Sequence, residues 1–119
     1  MSTTPIDAQV LDALARETGP ELFATTLELF LFELVEQHTA LQALAGADDV
    51  ERLRALAHTL KSSAATLGAM PLSRAAAHIE DSCRRGVPPG AEACVELAQL
   101  IERTRDALAE LLCTKGAMA

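Results

Sequence analysis

The sequence predicts an all-α fold: an antiparallel four-helix bundle with a short additional helix at the N-terminus. Three observations point there. Apolar residues recur every three or four positions along nearly the whole chain, the period of a helix with one buried face. Half of the 119 residues are apolar, but Ala and Leu dominate, with three Phe and no Trp or Tyr. That composition suits closely packed helices and suits a sheet poorly. Finally, Gly and Pro punctuate the chain at intervals of helical length. A single domain over residues 1–119 is large enough for one helical core without staples.

The first four residues are expected to be a loose terminus. Pro5 then opens a short helix over 5–17, with Ile6, Val10, Leu11 and Leu14 on one side. Pro suits a first turn because the N–H it lacks would be unpaired there. Gly19-Pro20 breaks the pattern, and a long helix follows over 21–44. Its inward stripe is Phe23, Leu27, Phe30, Leu31, Leu34, His38 and Leu41. Leu22, Leu29 and Phe32 sit off that stripe. Two readings stand for them: the first helix covers part of the patch, or the patch docks a partner.

Gly46 to Asp48 reads as a turn, and either Asp48 or Asp49 suits the cap of the third helix, over 49–67. Asp48 with Glu51 has capping-box spacing. Gly68 closes this helix as a C′ residue. Pro71 starts the fourth helix, over 71–85, with Leu72, Ala75, Ala76, Ile79 and Cys83 inward. Gly86-Val87-Pro88-Pro89-Gly90 is the clearest break. The last helix, over 91–113, turns Cys94, Leu97, Leu100, Ile101, Leu108, Leu111 and Leu112 inward.

The third helix carries the most informative residue. At about 100° per residue, Val50, Leu53, Leu56, Ala57, Leu60, Ala64 and Leu67 form one stripe, and His58 falls about 150° from its centre. Its neighbours three and four positions away are Arg54, Ala55, Lys61 and Ser62. An imidazole thus stands in the open, with two cations beside it and small side chains on the remaining side. A histidine so placed contributes little to folding, which makes it a candidate for chemistry. On position alone an inert surface histidine is the commoner case. His38 lies on an inward stripe and reads as a core or boundary residue. His78 lies at a stripe edge and reads as packed or capping.

The run His58-Thr59-Leu60-Lys61-Ser62-Ser63-Ala64-Ala65-Thr66-Leu67-Gly68-Ala69 resembles the signature of histidine-containing phosphotransfer (HPt) domains of bacterial two-component phosphorelays. Leu72 and Glu80 suit the Leu and the acidic position that follow in that family, and Ser62 stands where many members have Gly. The resemblance implies that His58 accepts a phosphoryl group from the aspartyl phosphate of one receiver domain and passes it to another. It further implies that Lys61 pairs with phosphate oxygens and that Arg54 assists or steers. Ala55, Ser62 and Ala65 leave clearance for the partner, while Leu29 and Phe32 belong to the docking patch. Ser62 has two further options, a hydrogen bond to the ring or phosphate and a back-bond to its own helix. The expected partners are receiver domains of response regulators or of a hybrid sensor histidine kinase. Mg²⁺ is expected on the receiver, with no cofactor on this chain.

Charge and cysteine usage exclude other classes. The net charge of −7 argues against nonspecific nucleic-acid binding. Acids outnumber Arg16 nine to one over residues 1–49, whereas Arg52, Arg54, Lys61, Arg74, Arg84 and Arg85 gather over 50–86. A local positive field therefore surrounds His58, although Arg52 and Arg84-Arg85 also read as ordinary solvated charge. No apolar run is long enough to span a bilayer, and the start lacks the pattern of a secretory signal. Cys83, Cys94 and Cys113 lack paired spacing, which fits free thiols in a cytoplasmic protein. With the histidines 20 residues apart on three helices, a metal site is not expected. The chain has no Gly-rich nucleotide loop, so it reads as a carrier and not a kinase. A monomeric, free-standing carrier is expected, with a non-catalytic helical adaptor as the competing reading.

Overall fold

The computed structural model describes residues 5–44 and 49–116, with side chains through Cys113. Five helices follow in order: α1 (Ala8–Thr18), α2 (Pro20–Leu44), α3 (Val50–Leu67), α4 (Met70–Arg84) and α5 (Ala91–Gly116). No strand occurs among the described residues. The expected turn at Gly46 to Asp48 and the loose terminus lie outside them, as does the Asp48 half of the capping box.

Local chemistry explains where each helix begins and ends. α1 starts three residues later than Pro5 suggested, because Asp7 is its cap: the carboxylate accepts from Gln9 N–H at 2.9 Å. The Asp7 N–H is also in use, donating to the Gly68 carbonyl at 2.9 Å. Gly19 takes a positive φ of 85°, and Pro20 becomes the first residue of α2. Asp49 caps α3 by accepting from Arg52 N–H at 3.1 Å. At the other end Gly68 is left-handed (φ 77°), and Ala69 N–H bonds back to the Ala64 carbonyl at 2.8 Å. A side chain at Gly68 would put a Cβ 2.7 Å from that of Val10, so glycine is required there twice over. Pro71 occupies the second position of α4, and α5 runs past the expected end at 113.

The most extensive pairing is the α3–α4 hairpin, and α2 packs chiefly on α5. Contacts of α2 with α3 and of α4 with α5 close the bundle, and α1 lies across α2 and α3. Leu27 and Leu41 of α2, Leu60 and Leu67 of α3, Leu72 and Ile79 of α4, and Leu97, Ile101 and Leu108 of α5 meet in the core. Each fully buried Leu or Ile contributes about 1.5–3 kcal/mol relative to exposure. Phe30, Leu31, Cys94, Leu100, Leu111 and Leu112 are only half-buried at its margin.

The first helix does not cover the off-stripe patch. Leu22, Leu29 and Phe32 are 56%, 64% and 65% exposed. The reason is where α1 is fastened: Asp7 and Val10 hold its start against the α3–α4 turn. This leaves the outer face of α2 bare.

Candidate functional site

His58 projects from the middle of α3 with 54% of its side chain exposed. It is not alone there. Its Nδ1 lies 2.6 Å from Oε2 of Glu80, a side chain only 3% exposed on α4. The other carboxylate oxygen, Oε1, accepts from Lys61 Nζ at 2.6 Å, and Arg84 Nη2 approaches Oε2 at 3.1 Å. Ser73 Oγ donates to the Lys61 carbonyl at 3.0 Å, which locks the two helices together beside this cluster. One buried carboxylate thus gathers three groups from the surface.

The hydrogen bond from Lys61, with those from His58 and the charge of Arg84, holds the Glu80 carboxyl down at about 2. Burial pushes the other way and loses to them together. Glu80 is therefore ionised at neutral pH and can only accept hydrogen bonds. Nδ1 of a neutral His58 must then be the donor. That fixes the tautomer: the proton sits on Nδ1, and the lone pair of Nε2 faces outward. What the cluster presents to solvent is an oriented nucleophile.

A stability signature follows with a definite sign. Because the carboxyl is held below its ordinary value of 4.5, its contribution is complete above about 4.5 and is lost as pH falls toward 2. Glu80→Gln is expected to cost about 1–3 kcal/mol near pH 6. By pH 3 roughly half of the ionic part of that difference should be gone. Urea unfolding of the two proteins across this range checks it, and a gap that does not narrow would show that Glu80 gains nothing from being charged.

The other expected site residues fall out as follows. Lys61 does not stand free for an incoming phosphate, being engaged by Glu80. Arg54 is engaged too, by Glu51 one turn back, whose hydrogen bond and charge raise the guanidinium further. The two cations flanking the ring are thus both paired. Ala55, Ser62 and Ala65 are exposed and small, so the surface around the ring is low. Among the described residues the Ser62 hydroxyl bonds neither to the ring nor back to its helix; the Ser62 carbonyl accepts from Thr66 Oγ1 at 3.1 Å. Ser63 Oγ donates to Glu33 Oε1 at 2.6 Å, fastening α3 to α2. Leu29 lies one turn before Glu33 and Phe32 beside it, so the bare apolar patch borders the helix that carries His58.

Of the two remaining histidines, His38 is a boundary residue, paired through Nε2 with Glu102 at 3.1 Å. His78 is neither packed nor capping; it is exposed on α4. Burial raises the thiols of Cys83 and Cys94, the opposite of activation. Among the described residues no group of three His, Cys, Asp or Glu is placed to hold a metal, and no helix is long and apolar enough to cross a membrane.

In the sequence Glu80 stands out only for its fit to the family's acidic position, and Arg84 only as part of the positive field; neither is assigned to the site there. A signal was available. Leu72, Ala76 and Glu80 follow one another at intervals of four, so a carboxylate sits on a buried row. A charge in that place needs a partner, and Arg84 continues the row to the surface.

Comparison with known proteins gives concordant results. The family model for the Hpt domain matches residues 25–110. The chain is 30% identical over 108 residues to the phosphorelay protein LuxU of Vibrio cholerae serotype O1, covering 90% of this chain and 96% of that protein. It is 31% identical over 109 residues to LuxU of Vibrio harveyi, covering 90% and 95%. The crystal structure of histidine-containing phosphotransfer protein B (HptB) from Pseudomonas aeruginosa PAO1 superposes with a TM-score of 0.79, at 25% identity and over 99% of each chain.

Proposed function

We propose, from the premise that this chain belongs to the Hpt domain family and is a histidine phosphotransfer protein of a phosphorelay, that His58 carries the phosphoryl group on Nε2. The observation that supports it is the Glu80 hydrogen bond, which occupies Nδ1 and leaves Nε2 outward on a low surface. Nε2 attacks the phosphorus of a receiver's aspartyl phosphate. A P–N bond forms, the P–O bond to the carboxylate breaks, and the aspartate leaves as an anion. No proton has to move, because Nδ1 keeps its own. The ring then carries positive charge, and the carboxylate of Glu80 lies against it. Delivery to the next receiver is the same step in reverse.

Phosphoryl transfer depends on in-line placement and on neutralising the equatorial oxygens. Lys61, with its ammonium at the surface end of the cluster, exchanges Glu80 for phosphate oxygens as the group arrives. Arg84 replaces it on the carboxylate. Mg²⁺ is supplied on the receiver. The docking face combines Leu29 and Phe32 of α2 with Arg54, Ala55 and Ala65 of α3 around the ring. The partners are receiver domains of response regulators or of a hybrid sensor kinase, met one at a time by a cytoplasmic monomer that has no kinase activity of its own.

Incubation with a receiver domain phosphorylated on its aspartate tests this reading. The expected product is a single acid-labile, base-stable phosphoryl group on His58, with ¹⁵N–³¹P coupling to Nε2. Stable binding of the phosphorylated receiver without transfer would make the protein an adaptor. Phosphorylation on Nδ1 would contradict the role given to Glu80.

A further inference from the structure

A concavity lies away from His58, where the end of α2, the start of α3, the Pro88-Pro89 connector and the first half of α5 fail to close on one another. We propose that this cleft binds a small amphiphile with an apolar body and a cationic head. The proposal is independent of the phosphotransfer reading.

The cleft holds about 550 Å³, within the range of small-molecule sites. Its shape follows from the sequence. Two prolines fix the connector, and α5 lines the inner wall with the small side chains of Ala91, Cys94 and Ala98, at intervals that keep them on one face. Leu53 is buried and forms the bottom; Val95, Gln99 and Glu102 are exposed and form the mouth. The Cys94 thiol, raised by burial, stays protonated and behaves as apolar wall.

Charge selects the head group. Among the described residues neither Lys nor Arg lines the cleft, whereas Asp49 and Glu102 do. Asp49 is committed to the cap of α3 and to Arg52. Among the described residues Glu102 is paired with His38 Nε2 at 3.1 Å and with no Lys or Arg, and its side chain is 49% exposed, open to a cationic group. Gln42 and Gln99 add neutral hydrogen-bonding groups at the same mouth. A carboxylate or phosphate head would meet repulsion there, and an ammonium would meet Glu102. Along α3 the lining runs from Asp49 to Leu53 and stops about 7.5 Å of helix rise short of His58, and Leu53 is on the buried face while His58 is on the exposed one, so occupancy does not obstruct the ring.

The test is a titration of the ¹⁵N-labelled protein with 4-phenylbutylamine and, separately, with the isosteric 4-phenylbutanoate. The amine should give saturable shifts at the amides of Val50, Leu53, Cys94, Val95 and Ala98, and the carboxylate should bind about tenfold more weakly or not at all. Glu102→Gln should weaken amine binding about 5–10-fold, and Ala98→Leu should fill the cleft and abolish it. A thermal scan shows whether Ala98→Leu folds; should it not, Glu102→Gln decides alone. Shifts scattered over the surface, equal binding of the two probes, or an unaffected Glu102→Gln would each remove the site.

Discussion

Replacing His58 with Gln is expected to abolish phosphoryl acceptance completely while leaving helix content and melting temperature nearly unchanged. The ring is more than half exposed and makes one side-chain hydrogen bond, to Glu80. Gln is at least as good a helix former, and its amide N–H can donate to the same carboxylate. What is lost is the nucleophile. Incorporation from a phosphorylated receiver measures the effect, and circular dichroism reports the fold. An acid-labile phosphoryl group on His38 or His78 in the variant would overturn the assignment. Neither has the arrangement found at His58: His38 is largely buried and paired through Nε2, and among the described residues His78 has no carboxylate to set its tautomer.

The next largest effect is expected at Ser62, where size should matter and polarity should not. Ser62 is one turn from His58, about 5–6 Å away on the same face. Its hydroxyl makes no hydrogen bond among the described residues, so the structure gives it no polar task. A docking receiver must bring its aspartyl phosphate in line with Nε2, and a misplacement of about 1 Å can cost 100-fold. Ser62→Ala and Ser62→Gly should therefore transfer rapidly, the glycine variant being less stable by up to about 1 kcal/mol. Ser62→Leu should fold normally and transfer about 100-fold more slowly or not at all. Stopped-flow transfer from a phosphorylated receiver distinguishes these outcomes. A fully active Ser62→Leu beside an impaired Ser62→Ala would show that the hydroxyl is what the site uses.

Helical periodicity carried the fold a long way, because each stripe needs only its own helix to be read. The exposure of His58 and the inward rows of α3, α4 and α5 are of this kind. The partners of Lys61 and His58 are not. Glu80 stands 19 residues from Lys61 and 22 from His58, and only the crossing of α3 and α4 brings them together. Read alone, α3 offers Lys61 as a free cation; paired with α4, the same ammonium belongs to a buried carboxylate. The fate of Leu22, Leu29 and Phe32 was hidden for a similar reason. Whether α1 shields them depends on its attachment to the α3–α4 turn through Asp7 and Val10, a contact across some sixty residues of sequence.

On the proposed role of His58, its fixed tautomer also sets the order of events in a relay. With Nδ1 bound to Glu80, the proposed carrier has a single point of exchange, Nε2, on the flank of the bundle. A receiver that closes on Nε2 covers the ring, and on this reading the next receiver requires the same atom. Donor and acceptor therefore exclude each other, and no ternary complex forms. The traffic expected from this arrangement is ping-pong, with free diffusion between the two encounters. A spent donor still fits the face it has just left, so its accumulation competes with the acceptor and throttles delivery.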